Sequence, residues 1–327
     1  MIPVRTHRGL DLTVLGMGCA QLGNLGTRMT DEEAEATVHA AWDAGIRFFD
    51  TAPHYGLGLS ERRLGRALAA YPRDEYVVST KVGRLLVPSP ETAHQRDTDD
   101  LFDVPSDHRR VYDLSRDGVL RSLEASLERL GLDRIDVVYM HDPDDHAEAA
   151  RTTGAQTLSA LREEGVIRGY GAGMNQAGML ADLIEQTDVD IVMCAGRLTL
   201  LEQESSRRML RLAGERGVAV VAAAVYNSGL LARDSVPDRV TYDYADAPTE
   251  ILERAREIER LCRAHGTTLP AAAVQYPLRF PPVVSAVVGM RGPTQVAEAV
   301  QRTAEPIPDE LWDALEESGF IISPDSV

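Results

Sequence analysis

Four side chains of types that can move protons lie at or just beyond the ends of short apolar segments. Asp50, Lys81 and His141 each end such a segment. Tyr55 follows Asp50 within the sequence FDTAPHYG. A phenol with an ordinary pKa of about 10 is a weak acid or base at neutral pH, but a nearby ammonium group favours its ionised form. A carboxylate can hold that ammonium group, and an imidazole can hydrogen-bond to a carbonyl oxygen. The set predicts reduction of a carbonyl or oxidation of an alcohol.

Each of these residues also has a structural explanation when it is taken alone. Asp50 could cap a turn, Lys81 could be solvated at a strand end, and Tyr55 could be a packed ring. His141, which precedes an Asp-Pro pair, could belong to a turn. The catalytic interpretation depends on their convergence on one face of the fold.

A metal site is the main chemical alternative, because His54 lies near Asp50 and His141. Barrel hydrolases need several His and Asp ligands from different strands. The later apolar segments end in Gly173, Ala195 and Tyr226, with no further histidine. We therefore expect no catalytic metal and interpret His54 as a structural or supporting residue.

Eight short apolar segments alternate with longer helical patterns and indicate the fold class. They are nearly continuous in apolar residues, which is typical of parallel strands covered on both faces. Eight such units predict an α/β fold, a (β/α)8 TIM barrel, more economically than an open sheet. The segments are 15–20, 46–50, 76–81, 135–141, 167–173, 190–195, 218–226 and 283–289.

Helix signals separate these segments. Thr30 and Glu33 have the spacing of a capping box. Ser115 precedes a helix with leucines three and four residues apart, and apolar residues recur in the same way over 251–262. The pattern therefore places a helix after individual strands, as the barrel requires.

Three segments depart from the repeat. Residues 1–12 predict a hairpin that turns at Arg8-Gly9 and closes the barrel floor. Residues 83–113 and 231–248 are long polar loops that follow strand ends, where barrel enzymes keep their active sites. We expect substrate specificity to lie in these two loops. The pattern contains no linker, so we expect a single domain over 1–327.

Composition excludes several classes of partner. The net charge is −17 without a basic patch, which disfavours nucleic acids and membrane surfaces. No apolar run approaches the length of a membrane span, and the first residues do not resemble a secretory signal. Cys19, Cys194 and Cys262 lie in apolar surroundings and are expected to be reduced. We expect a cytoplasmic protein with a small-molecule substrate, and oligomeric state stays open.

A phosphate site is predicted where the last apolar segment ends. The sequence GMRGPTQ at 289–295 opens a helix, with Pro293 suited to its first turn. A helix N-terminus after the eighth barrel strand can bind phosphate. An ordinary glycine-containing connection is the alternative. Arg291 could pair with a 2′-phosphate and permit NADP, although one arginine does not exclude NAD.

The motifs resemble those of the aldo-keto reductases over about residues 10 to 303. FDTAPHYG, the STKVG strand end at Lys81 and the HDP at His141 occur in that family's order. The resemblance implies an NAD(P)-dependent oxidoreductase in which Tyr55 is the general acid/base and Lys81 lowers its pKa. It also implies that Asp50 pairs with Lys81 and that His141 orients the substrate oxygen.

The same resemblance implies the cofactor contacts. They include an amide that binds nicotinamide, a ring that could stack on it, and a turn and a helix start that contact phosphates. These residues are Asn175, Tyr226, Ser228, Gly229, Leu230, Gly289, Met290, Arg291 and Gln295. Three positions depart from the family pattern: Met174 replaces a serine, 191–194 contains no glutamine, and Ala299 replaces an asparagine.

Further stretches are similar to the sugar-oxidising branch of the family. GRLTLLEQE at 196–204 and YNSGLLA at 226–232 resemble aldose 1-dehydrogenases, galactose dehydrogenases and pyridoxal 4-dehydrogenase. This implies oxidation of an aldose at C1 to a lactone. Two alternatives stay open: action on pyridoxal or another aldehyde, and a barrel that serves mainly as a cofactor-sensing binding subunit.

Overall fold

The computed structural model describes residues 2–98, 100–239, 241–242 and 245–327, and its centre is a closed barrel of parallel strands. Around the barrel the order is β3, β4, β5, β8, β9, β10, β11 and β14. In chain order the strands are β1 (Val4–His7), β2 (Leu10–Thr13), β3 (Leu15–Gly18), β4 (Phe48–Asp50), β5 (Val77–Val82), β6 (Arg84–Pro88), β7 (His108–Tyr112), β8 (Val137–His141), β9 (Gly169–Met174), β10 (Ile191–Ala195), β11 (Ala219–Ala223), β12 (Thr241–Tyr242), β13 (Ala245–Asp246) and β14 (Val283–Gly289). The predicted (β/α)8 barrel is confirmed.

Helices surround the barrel. They are α1 (Asp31–Asp43), α2 (Leu59–Leu68), α3 (Arg116–Leu130), α4 (Ala147–Ala149), α5 (Ala155–Glu163), α6 (Ala177–Gln186), α7 (Arg207–Arg216), α8 (Thr249–Ala264), α9 (Leu269–Gln275), α10 (Pro293–Ala304) and α11 (Asp309–Glu317). A π-helical turn, Ala150–Gly154, joins α4 to α5. Short 3-10 helices occur at Ala20–Gly23, Arg73–Glu75, Asp144–His146, Glu204–Ser206, Tyr276–Arg279 and Pro324–Ser326. Among the described residues, every helix is too short or too polar to span a bilayer.

The predicted capping signals are confirmed. Thr30 accepts a hydrogen bond from the Glu33 backbone, and the Glu33 carboxylate accepts one from the Thr30 backbone at 2.8 Å. The Ser115 side chain accepts a bond from the Gly118 backbone at the start of α3. These bonds satisfy N–H groups that a helix N-terminus otherwise leaves without partners.

Several barrel strands are shorter than their apolar segments, and β4 and β11 differ from them at the barrel mouth or floor. Ladder pairing of β4 with β5 begins at Phe48, two residues after the predicted start. The predicted seventh segment, 218–226, is extended only as far as Ala223. Ala224 has φ 52° and turns the chain out of the barrel. Residues 224–226 therefore belong to the barrel mouth.

The N-terminal hairpin closes the barrel floor, as predicted. β1 pairs with β2 around Arg8 and Gly9, which both have positive φ. Such a two-residue turn matches the twist of the strands it joins. Leu10 and Leu12 are buried with the side chains that fill the barrel interior. The hairpin therefore seals the end of the barrel opposite the strand ends that carry polar residues.

The two long segments contain more order than their composition suggested. Residues 83–113 include the antiparallel pair β6 and β7, with Arg84 opposite Tyr112. Residues 231–248 include the short pair β12 and β13. Within these loops Asp99, Val240, Asp243 and Tyr244 lie outside the described residues, as does Met1 in the first predicted hairpin. The pair β6 and β7 is a separate two-stranded sheet that follows β5 directly in the chain.

Two glycines allow the turn after β4 to approach the barrel rim. Gly56 has φ 62°, and a Cβ at this position would overlap the backbone of Gly23. A Cβ at Gly23 would in turn overlap the backbone of Tyr55. This close backbone contact fixes the height of the Tyr55 loop above the barrel.

Gly56→Ala should therefore destabilise the protein more than a glycine substitution at a similar φ in open space. Strain at positive φ and the overlap with Gly23 should together lower the free energy of unfolding by about 3 kcal/mol. Gly131 has φ 63° with no atom near its missing Cβ, so Gly131→Ala should cost about 1 kcal/mol. Urea denaturation measures both, and equal losses would contradict the packing argument.

Candidate active site

Three neighbouring strands and one turn bring the predicted polar residues together. Asp50 ends β4, Lys81 lies near the end of β5, and His141 ends β8. These strands are adjacent in the barrel, so their side chains converge at its mouth. Tyr55 reaches the same point from the turn between β4 and α2. All four residues line one cavity.

The ammonium group of Lys81 is the centre of this cluster. Lys81 Nζ donates to Asp50 Oδ2 at 2.6 Å, to the Thr51 carbonyl at 3.0 Å and to the Tyr55 hydroxyl at 3.0 Å. Three donors of one ammonium group are therefore used. Ser79 donates to the other oxygen of Asp50 at 2.7 Å, which fixes the carboxylate. The Lys81 and Asp50 side chains are 2% and 4% exposed.

Burial and charge act in opposite directions on this pair of titrating groups. Burial lowers the pKa of Lys81, but the Asp50 carboxylate and Tyr55 outweigh that effect and raise it above its ordinary value. Burial raises the pKa of Tyr55 to about 12, although the Lys81 charge lowers it. Lys81 is therefore an ammonium at neutral pH and Tyr55 is a neutral phenol. The predicted lowering by Lys81 is present as one contribution, but burial exceeds it.

His141 and His54 face this cluster as neutral imidazoles. Burial and the nearby Lys81 charge hold the pKa of His141 well below its ordinary value. Burial and the charge of Arg110 lower the pKa of His54 to about 2. The two rings are perpendicular, with centroids 5.3 Å apart. A neutral imidazole can donate from one nitrogen and accept at the other, so His141 can hydrogen-bond to a substrate oxygen.

The cavity at the barrel mouth has a volume of about 540 Å³ and two unlike sides. One side carries the charged and aromatic cluster. The other is formed by an amide and by small or apolar side chains: Met174, Asn175, Met193, Ala195, Ala223, Ala224, Val287 and Gly289. Cavities of this size hold small ligands. The uncharged side chains leave room for a ring next to the proton-transfer groups.

The predicted cofactor residues fall into two groups in the structure. Asn175 and Gly289 line the cavity. A Cβ at Gly289 would overlap the Gln21 side chain, so this position has room for backbone only. Ser228 and Gly229 have positive φ in an exposed turn beyond β11, and Leu230 is buried beneath it. The turn can present backbone N–H groups to an anion.

The start of α10 has the predicted form, but its arginine is engaged elsewhere. Pro293 lies in the first turn of the helix. The Arg291 guanidinium donates to the carbonyls of Leu25 and Thr27, the latter at 3.1 Å. The Gln295 side chain accepts from the Arg291 backbone at 2.8 Å. Arg291 therefore supports the neighbouring loop at the barrel mouth.

Tyr226 and Met290 have surroundings that the resemblance did not predict. Tyr226 packs against the outer core, where burial raises its pKa to about 12 despite the charge of Arg302. It is absent from the cavity lining among the described residues, and Ala223 and Ala224 take that place. The role of its ring as a stacking partner of nicotinamide therefore stays a prediction. Met290 as a whole residue is 1% exposed, and its contact with a cofactor stays a prediction.

Several lining residues had no signal in the sequence. Phe102, from the long 83–113 segment, packs on His54 and Tyr55 with ring centroids 5.3 and 6.0 Å away. Gln21 lies in a 3-10 helix after β3 and contacts the cavity beside Gly289. Both depend on contacts between distant parts of the chain. A phenylalanine isolated in a polar loop is the only local hint.

No group of three or more His, Cys, Asp or Glu side chains that could hold a metal ion occurs in the described parts of the chain. The three cysteines are buried and free, as expected.

Comparison with known proteins places this site in a family context. The model of the Aldo/keto reductase family matches residues 14–319. The chain is 45% identical to a D-threo-aldose 1-dehydrogenase from Pseudomonas sp over 98% of both chains. It is 39% identical to a pyridoxal 4-dehydrogenase from Microbacterium luteolum over 96% of both. A glycerol dehydrogenase structure from Gluconobacter oxydans superposes with TM-score 0.78 and 26% identity, covering 96% of this chain and 94% of that one.

Proposed function

The chain belongs to the aldo/keto reductase family, and we propose that it oxidises the C1 hydroxyl of an aldose to a lactone with Tyr55 as general base. It is an oxidoreductase that uses NAD or NADP. The observation that carries the proposal is the bond from Lys81 to the Tyr55 hydroxyl at 3.0 Å, made inside a substrate-sized cavity. The 45% identical aldose dehydrogenase supports the substrate class.

Tyr55 moves the proton in this proposal. The phenolate form of Tyr55 accepts the proton of the anomeric hydroxyl while C1 loses hydride and the C1–O bond becomes a carbonyl. Lys81 stabilises the phenolate, and Asp50 keeps Lys81 in position and charged. His141 hydrogen-bonds to the reacting oxygen as a neutral imidazole. In the reverse direction Tyr55 returns the proton to an aldehyde oxygen.

The uncharged side of the cavity fits the nicotinamide end of the cofactor, which accepts or returns the hydride. Asn175 would bind its amide, and the small side chains of Ala223 and Ala224 would leave room for the ring. The turn at Ser228 and the N-terminus of α10 would contact the phosphates through backbone N–H groups. Glycine at 289 keeps the Gln21 side chain in place at this edge of the cavity, because a Cβ there would overlap it.

Pyridoxal is a second candidate substrate. The 39% identical relative is a pyridoxal 4-dehydrogenase, and Phe102 offers an aromatic surface at the cavity. Both reactions use the same proton-transfer group, so only a comparison of substrates can separate them.

Purified protein is mixed with NAD+ or NADP+ and with L-fucose, other aldoses or pyridoxal, and the absorbance of reduced nicotinamide is followed. Tight cofactor binding without turnover of any substrate would contradict a dehydrogenase.

Tyr55→Phe should reduce turnover by at least about 100-fold, because it removes the general base. Cofactor affinity should stay nearly the same, since the ring is kept. Tyr112→Phe is a matched control, because the Tyr112 hydroxyl donates to the backbone carbonyl of His141. That control should retain most of its activity. Near-normal turnover of Tyr55→Phe would remove Tyr55 from the proposed role.

The engagement of Arg291 leads us to propose NAD as the preferred cofactor. Nη2 of Arg291 is held by the Leu25 and Thr27 carbonyls, so a 2′-phosphate would have to bind Nη1 and Nε in that fixed orientation or break these bonds. Hydrogen bonds to charged groups contribute about 1.5 to 3 kcal/mol each, enough for about a tenfold preference. Arg291→Ala should therefore leave the ratio of NAD to NADP affinities nearly unchanged. Titration of each cofactor measures this, and a selective loss of NADP affinity would contradict it.

A further inference from the structure

The 83–113 segment supplies one wall of the active-site cavity. Asp100, Leu101 and Phe102, here called the wall residues, line the cavity with His54 and Tyr55. Phe102 is 2% exposed, and its ring packs edge-on against His54. The Leu101 carbonyl also accepts a bond from the Gly26 backbone at 2.8 Å. The wall residues are therefore held in place by side-chain packing and by a backbone hydrogen bond.

Arg110 of β7 holds this wall against the loop that carries Tyr55. Its guanidinium makes two bonds to Asp97, at 2.8 and 2.6 Å, and one to Asp100 Oδ2 at 2.7 Å. It also donates to the His54 carbonyl at 2.9 Å, one residue before Tyr55. One side chain thus connects the wall to the backbone of the proposed catalytic turn.

The arrangement requires an arginine. The Arg110 and Asp97 side chains are 10% and 7% exposed, so their charges are largely removed from water. A planar guanidinium can bind one carboxylate through two parallel bonds and still reach further acceptors. A lysine at this position would have no such fork. Arg110 is therefore a positioning residue that sets where the Asp100 carboxylate lies.

Asp100 differs from Asp97 in what it offers to a ligand. Its side chain is 41% exposed at the cavity, while Arg110 contacts it at Oδ2. A carboxylate has about four acceptor positions, more than one arginine N–H group can fill. Hydroxyl groups are donors that such a carboxylate binds strongly. The cavity edge therefore has an oriented acceptor that is separate from the four proton-transfer residues.

We propose that Asp100, oriented by Arg110, accepts hydrogen bonds from substrate hydroxyl groups remote from the reacting carbon and so selects polyhydroxylated substrates. This inference rests on the proposed function, because it assigns the substrate's far end to the same cavity. It identifies a specificity-determining residue within a segment whose composition alone gave no map of polar contacts.

The test compares two cyclic hemiacetals that undergo the same oxidation. L-fucose carries ring hydroxyls, whereas 2-hydroxytetrahydropyran carries the anomeric hydroxyl alone. Asp100→Ala should lower the ratio of their kcat/KM values by at least about tenfold, through a higher KM for L-fucose. Arg110→Met should change the same ratio in the same direction. Asp107→Ala is the matched control: this carboxylate lies in the same segment, is 54% exposed and pairs with His108.

Calorimetric titration of L-fucose into the full-length protein provides a readout that does not need turnover. The dissociation constant should rise by about tenfold for Asp100→Ala and stay unchanged for Asp107→Ala. Equal losses for both hemiacetals, or an unchanged dissociation constant, would overturn the role of Asp100. If the wild-type protein binds L-fucose through Asp100 but oxidises neither hemiacetal, the proposed function fails and this inference stands.

Discussion

The buried ion pair between Lys81 and Asp50 is the interaction on which the site depends. Removing one partner of such a pair typically costs about 3 to 5 kcal/mol, because the other charge stays buried without compensation. The pair is tolerated here because Ser79 and the Thr51 carbonyl supply further hydrogen bonds. The pair also places a positive charge 3.0 Å from the Tyr55 hydroxyl, in a buried position where solvent screens charges weakly. Burying these charges costs free energy, and the same burial strengthens the effect of Lys81 on the Tyr55 hydroxyl.

The rest of the barrel mouth keeps that charge at a fixed distance from the substrate. The close contact of Gly56 with Gly23 sets the position of the Tyr55 loop. Arg110 ties the same loop to the cavity wall through the His54 carbonyl. Elsewhere in the cavity lining, the small side chains of Ala223 and Ala224 carry no charge. The barrel therefore presents one charged side and one apolar side to a ligand between them.

Local sequence patterns predicted what local physics decides. The eight strands, the caps at Thr30 and Ser115 and the hairpin at Arg8-Gly9 each depend on neighbouring residues, and all of them form, although several strands are shorter than predicted. Tyr226 is absent from the cavity lining because a turn at Ala224, marked only by its φ of 52°, redirects the chain before it. The carbonyl partners of Arg291 and the His54 carbonyl bound by Arg110 lie far away in sequence, so no spacing rule could reveal them. Residue types were thus enough to predict the proton-transfer cluster, whereas the residues of the remaining cavity walls could be identified only from the folded structure.

The central claim is that the Lys81 charge opposes burial and makes the Tyr55 phenolate accessible. The direct measurement is the pH dependence of the hydride-transfer rate in the oxidative direction, in the wild type and in the Asp50→Asn/Lys81→Met double variant, which leaves no unpaired carboxylate. The rate should rise with pH in both, because Tyr55 acts when deprotonated. The inflection should move upward in the double variant, since the charge and hydrogen bond of Lys81 lower the pKa of Tyr55 more than the Asp50 carboxylate raises it. An unchanged inflection with a lower plateau would mean that Lys81 only positions Tyr55, and it would contradict the account.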